Sequence, residues 1–252
     1  MKKIAALLGT IVMAFSSFSI SDINAVSTEI ILPQESVEAQ SDEVDLKLYT
    51  VEVVKLVNQE RAKEGLPELM MFPRLSKAAN IRVDEITEKF SRTHERPDGR
   101  SSSTIITDLN IRWNAYGENI AYGYRSPQTV VNGWMNSPGH RKNILSANFK
   151  YIGVGVAVKD GVLYWTQEFL GVFPGEEYPE AFYARAFGDI NSDGKIDSSD
   201  ASLILKDYAS VASNQGYVLS TSQRAKSDVT GDEHIDSVDA SVTLSIYAKN
   251  ST

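Results

Sequence analysis

Two stretches near the C-terminus of this chain repeat one another in register. GDINSDGKIDSSDASLILKDYA, from Gly188, and SDVTGDEHIDSVDASVTLSIYA, from Ser227, align at an offset of 39 residues. Asp189, Asp193, Ile196, Asp197, Asp200, Ala201 and Tyr208 then fall against Asp228, Asp232, Ile235, Asp236, Asp239, Ala240 and Tyr247. A solvated acidic tail has no reason to repeat its apolar positions, so the pattern calls for two copies of one folded unit. It also poses a charge problem. Four aspartates crowd the twelve residues Asp189 to Asp200, and they repel one another unless a cation binds their oxygens.

The spacing supplies that cation. In the first loop Asp189, Asn191, Asp193, Asp197 and Asp200 stand at positions 1, 3, 5, 9 and 12 of a calcium loop, and the Lys195 carbonyl stands at 7. Gly194 takes position 6, where the chain must turn sharply, and Ile196 points to the core. The second loop offers Asp228, Thr230, Asp232, the His234 carbonyl, Asp236 and Asp239. It departs from the pattern at position 6, where Glu233 replaces glycine, and at position 3, where Thr230 replaces Asp or Asn. Two bound calcium ions are expected, the second held more weakly.

Two Asp-terminated loops, each followed by one helix and a Tyr-Ala pair, resemble a type I-like dockerin module over Phe187 to about Asn250. The resemblance implies calcium-dependent binding to a cohesin module of a scaffold protein, a scaffoldin, within a cellulosome. It places the cohesin contacts on Ser198, Ser199, Leu205 and Lys206, with Ser237, Val238, Leu244 and Ser245 as their mates.

Upstream, the chain opens with MKK and an apolar run from Ile4 to Phe15, followed by small and polar residues up to Ala25. That is a secretory signal peptide over residues 1–25, since the run is shorter than the roughly 20 residues a membrane span needs. No transmembrane segment is expected, and the mature protein should be extracellular. Residues 26–45 read as a flexible leader. The net charge of −8 argues against nucleic acid as a partner, and the absence of cysteine removes disulfides and thiolate nucleophiles.

Helical periodicity begins at Leu46 and ends at Gly65-Leu66-Pro67. A second helix is predicted from Leu75 to Phe90, and a third from Ser126-Pro127 to Asn136. IGVGVAV and LYWTQEF, separated by KDG, predict a hairpin. Residues 46–172 thus read as a layered α/β domain, 173–186 as a linker, and 187–252 as the repeat module.

Within residues 46–172 the polar motifs are RTHERPDGR, GENIAYG and WMNSPGHRKNIL. Each histidine alone is an ordinary structural residue. Taken with NQERAKEGLPEL and YIGVGVAV…YWTQEF, however, their order resembles the bacterial branch of the CAP superfamily, the cysteine-rich secretory, antigen five and pathogenesis-related (SCP-like) proteins. The resemblance implies an α-β-α sandwich whose cleft is lined by two histidines and two glutamates able to hold a divalent cation. His94, Glu118 and His140 fall on three of those positions, and Ser137 stands where the fourth, a glutamate, is usual. Such a site would hold a divalent cation weakly at most. Glu118 and Asn119 could equally tie the layers together by hydrogen bonds.

The fold class expected is therefore an α-β-α sandwich followed by a small all-α module with two calcium loops. The function expected is a secreted protein, displayed on a cell-surface cellulosome, whose cleft binds a small ligand, lipid or peptide. No catalytic residue is assigned. The alternative is a metal-assisted or acid/base hydrolase acting on peptide or cell-wall material during polysaccharide breakdown.

Overall fold

The computed structural model describes residues 34–230 and 232–250, so the expected signal peptide lies outside the described residues. Helix α1 runs Gln34–Lys63 and therefore enters the segment expected as a flexible leader. Glu, Gln, Ala and Ser follow Pro33 there with no glycine or further proline to stop a helix. The helix buries Val53, Val54 and Val57 along one stripe. It ends in a Schellman turn at Gly65, φ +68°, where Leu66 N–H reaches the Arg61 carbonyl and Gly65 N–H that of Ala62.

Four strands form one sheet in the order β1-β3-β4-β2: β1 Met70–Met71, β2 Ala115–Tyr122, β3 Tyr151–Lys159 and β4 Val162–Gly171. Strand β1 is parallel to β3, and the other pairs are antiparallel. The predicted β3–β4 hairpin turns at Asp160 and Gly161, both with positive φ, as a two-residue primed turn requires.

Helix α2, Pro73–Glu88, and the short α3, Thr104–Asp108, cover one face of the sheet. Alternate glycines let α2 come close. A β-carbon on Gly153 would lie 2.3 Å from the Leu75 backbone, and one on Gly155 2.3 Å from the Ala79 carbonyl oxygen. The other face packs Ile152, Val154, Trp165 and Phe169 against α1 and α4, Pro127–Met135. Ser126 caps α4, as the sequence predicts.

At Ser137-Pro138 the chain does break, but proline then starts a new helix, α5 Pro138–Ile144. Buried Arg61 fixes its far end by donating to the Ile144 and Ser146 carbonyls at 2.8 Å.

The segment expected as a linker is packed against the sandwich. Tyr178 stacks on Phe72 at 4.2 Å and donates to the Arg112 carbonyl at 2.8 Å. Phe182 bridges Met71 by two backbone hydrogen bonds. Ala184, on a single 3-10 turn (Ala184–Ala186), and Phe187 join the main core.

The C-terminal module holds α6 Ser198–Ala212, α7 Thr221–Ser227 and α8 Ser237–Asn250. Ile190, Ala201, Ile204, Leu219 and Ala240 form its own small core. Helices α6 and α8 follow the two loops as the repeat predicts, whereas α7 lies between them, outside the predicted loop–helix units.

Candidate functional site

Strand β2 carries the centre of the cleft. Glu118 sits mid-strand on β2. Its side chain is 2% exposed and turned towards α2. Arg82, fully buried on α2, donates from Nε to Glu118 Oε2 at 2.7 Å and from Nη1 to Glu85 at 3.2 Å. His94 occupies the loop after α2 with φ +60°, and its Nδ1 lies 2.5 Å from Glu118 Oε1. Each Glu118 oxygen therefore has a partner already. The imidazole, 40% exposed, is the accessible member of the pair.

Behind Glu118, directly across the strand pair, lies Glu168, 1% exposed. Burial pushes its carboxyl well above the usual carboxylate range, and the charge of Glu118 adds to the effect. Tyr116 packs beside it and donates to Ser102 at 2.9 Å; burial also pushes its phenol up.

His140 stands on α5, which crosses the edge of β2. Burial, and then the proximity of His94, push its imidazole below the ordinary value. Asn119 donates to the His140 carbonyl at 3.2 Å and to Gln167 at 2.9 Å. Asn143 donates to the Glu118 carbonyl at 3.0 Å and to Asn119 at 2.9 Å. Glu118 and Asn119 thus do bind the layers together. Ser137 serves as the N-cap residue of α5.

Among the described residues no group of three or more His, Asp or Glu side chains is arranged to hold a metal ion. In the cleft both Glu118 oxygens are engaged, by Arg82 and by His94. Arg82 and Glu168, which complete this buried cluster, escaped sequence reasoning. The signal for Glu168 was a charge within the apolar run YWTQEFL.

The two repeat loops share one wiring. Asp200 accepts N–H bonds from Ile190, Asn191 and Asp197, while its mate Asp239 accepts them from Val229, Thr230 and Asp236. Asp193 accepts from Lys195 N–H, and Asp232 from His234 N–H. Asp189 accepts from the Asp193 and Gly194 amides, Asn191 Oδ1 also accepts from Asp193 N–H, and Asp197 and Asp236 each accept from the residue two further on. At position 6 both loops are left-handed, Gly194 with φ +86° and Glu233 with φ +66°. Thr230 differs from Asn191 in that its hydroxyl donates to Asp239 at 3.0 Å. Burial pushes the Asp239 carboxyl up to about 6. The loops are rich in carboxylate oxygens, the hard donor type that calcium prefers, and in this structure those oxygens accept the loops' own amides.

The residues expected to meet a partner are exposed in both copies. Ser198, Ser199, Leu205 and Lys206 lie open on α6, and Ser237, Leu244 and Ser245 on α8, with Val238 half-buried. Leu205 and Leu244 are 44% and 42% exposed, while Tyr208 and Tyr247 are both 44% exposed.

Residues 54–169 match the model of the cysteine-rich secretory protein family, CAP, and residues 187–243 match the dockerin type I domain. The sandwich is a CAP domain and the helical module a type I dockerin; the chain is a CAP-domain protein with a dockerin at its C-terminal end. It is 38% identical over 151 residues to the uncharacterized protein YkwD of Bacillus subtilis, across 60% of this chain and 58% of that protein. It is 32% identical over 145 residues to the uncharacterized membrane protein YlbC of the same organism, across 56% and 40%. The chain thus spans about half the length of these relatives. Among solved structures, an extracellular SCP-domain protein of Bacillus anthracis shows 24% identity and a TM-score of 0.45, covering 56% of this chain and 44% of that one. An outer surface protein of Borrelia burgdorferi shows 22% identity and a TM-score of 0.45, covering 53% and 96%.

Proposed function

We propose that this is an extracellular protein whose dockerin binds two calcium ions and docks on a cohesin module of a cellulosomal scaffoldin, displaying the CAP domain there. The observation that carries this reading is the repeated wiring of the two loops beside two matching exposed helix faces. In loop one Asp189, Asn191, Asp193, the Lys195 carbonyl, Asp197 and Asp200 would hold the ion. In loop two Asp228, Asp232, the His234 carbonyl, Asp236 and Asp239 would do so, with Thr230 a poorer ligand because its hydroxyl oxygen is neutral. The cohesin would lie along Ser198, Ser199, Leu205 and Lys206, or along Ser237, Val238, Leu244 and Ser245. No helix among the described residues is long and apolar enough to cross a membrane. Capture of the full chain by an immobilised cohesin, in calcium and then in chelator, tests the reading. Equal capture in both sinks it.

In the CAP domain we propose a non-catalytic cleft that binds a small ligand, lipid or peptide. Glu118 fixes His94 by Nδ1, which leaves Nε2 as the polar edge offered to a ligand. The same pair is the one observation favouring the hydrolase alternative, because a carboxylate orienting an imidazole is acid/base machinery. Peptide and peptidoglycan turnover assays on wild type and His94→Ala decide between them: turnover that the substitution abolishes makes the domain an enzyme.

A further inference from the structure

Lys226, in the last turn of α7, is 4% exposed. A lysine that buried needs partners for its ammonium, and it finds them in the first calcium loop. Nζ donates to the Asp189 carbonyl, to Ser192 Oγ at 2.9 Å and, at the long limit of 3.5 Å, to the Ile190 carbonyl. One turn earlier Gln223 donates to the same Ile190 carbonyl at 3.2 Å, and Gly188 N–H bonds the Lys226 carbonyl at 3.3 Å. Helix α7 therefore grips the start of loop one by its backbone. The ammonium takes carbonyls and a hydroxyl, leaving the carboxylate oxygens to a metal. Asp189 and Asp200 lie close enough for their charges to favour the ammonium against its burial.

The repeat makes this an asymmetry. Thirty-nine residues before Lys226 stands Phe187, and the same distance before Gln223 stands Ala184. Both are buried in the CAP-side core. Loop two consequently receives no cation from the equivalent place in the repeat. It meets one from the CAP domain instead, where Lys77 pairs with Glu233.

We propose that Lys226 is a positioning residue for loop one, a resident ammonium that offsets part of the charge of four aspartates and keeps the loop folded when calcium is scarce. The inference rests on the calcium reading of the loops. It predicts that the two loops respond unequally to chelation, with loop two opening first.

Amide hydrogen exchange on the full chain tests it, read at the bonded amides of Ile190, Asn191 and Gly194 and at their mates in loop two, with CAP-domain amides as the internal control. Lys226→Met keeps the apolar stem and removes the charge; Lys226→Arg keeps the charge. In chelator, Lys226→Met should exchange about tenfold faster than wild type in loop one, with Lys226→Arg nearer wild type. Added calcium should restore protection to Lys226→Met, because the metal supplies the missing charge. Unchanged loop-one protection in Lys226→Met under chelator overturns the proposal. So does a loss that calcium fails to repair, which would make Lys226 a packing residue only. If calcium alters neither loop in wild type, the calcium reading itself fails, whereas the bracing by Lys226 is still read from the chelator arm.

Discussion

Lys77 on α2 donates to both carboxylate oxygens of Glu233, each at 2.8 Å, and so joins the CAP domain to the turn of the second dockerin loop. Glu233 holds a left-handed conformation at a position that favours glycine, at a cost of about 1 kcal/mol. The ion pair is exposed on both sides, 48% and 63%, and such pairs contribute about 0–1 kcal/mol. The two effects are of one size, which rationalises a glutamate at this position.

A double-mutant cycle should therefore show coupling. Glu233→Gly relieves the strained turn and should tighten calcium binding at the second loop. The gain should be larger in a Lys77→Met background, where no ion pair is sacrificed, and the difference should shrink in high salt. Calorimetry on the four proteins checks this; identical gains in both backgrounds count against it.

Chelator should abolish capture by cohesin and reduce the helical signal of the dockerin, while the CAP domain keeps its unfolding transition. Unneutralised carboxylates repel, and the dockerin core of Ile190, Ala201, Ile204, Leu219 and Ala240 is small. Circular dichroism with and without calcium reads the effect.

The members of the cleft should differ sharply in their weight for stability. Glu118→Ala strands the guanidinium of Arg82 in a buried site and should cost about 3–5 kcal/mol. His94→Ala removes a partly exposed ring and should cost far less. Glu168→Gln should be tolerated, because burial already shifts that carboxyl towards its neutral form. Denaturant unfolding of the three variants ranks them, and a Glu168→Gln as damaging as Glu118→Ala would refute the assignment.

Acid should weaken the CAP domain through His140. Its folded-state pKa lies below the ordinary 6.5, so the unfolded chain takes up a proton first as pH falls. The stabilising contribution is complete above 6.5 and is lost progressively as pH drops from there through the folded pKa. Unfolding free energy measured against pH should show this slope in wild type and a shallower one in His140→Gln.

Much of this architecture was legible because its signals are local. The loops announce themselves by oxygen spacing, and the ends of α1 and α4 by Gly65 and by Ser126-Pro127. Strand β2 was hidden for a physical reason: helices cover both faces of the sheet, so Glu118 and Asn119 are buried on opposite sides and no polar alternation survives. Helix α5 was hidden because Pro138 both ends one helix and begins the next. The linker looked loose from its prolines and glutamates, yet Tyr178 and Phe182 are the residues that fasten it. The cleft was legible only as a set of motifs. Its chemistry depends on Arg82 and Glu168, which come from other elements and meet Glu118 only in the folded sheet.

The fastening of Tyr178 and Phe182 against Phe72 and Met71 has a mechanical result. A Gly/Ser-type connector lets its cargo wander over a radius set by its length, whereas here the chain is stitched down before the dockerin begins. Whatever grips α6 or α8 takes hold of the CAP domain as a handle grips a blade. The bearing of the His94 edge towards its surroundings is then set by which helix is gripped.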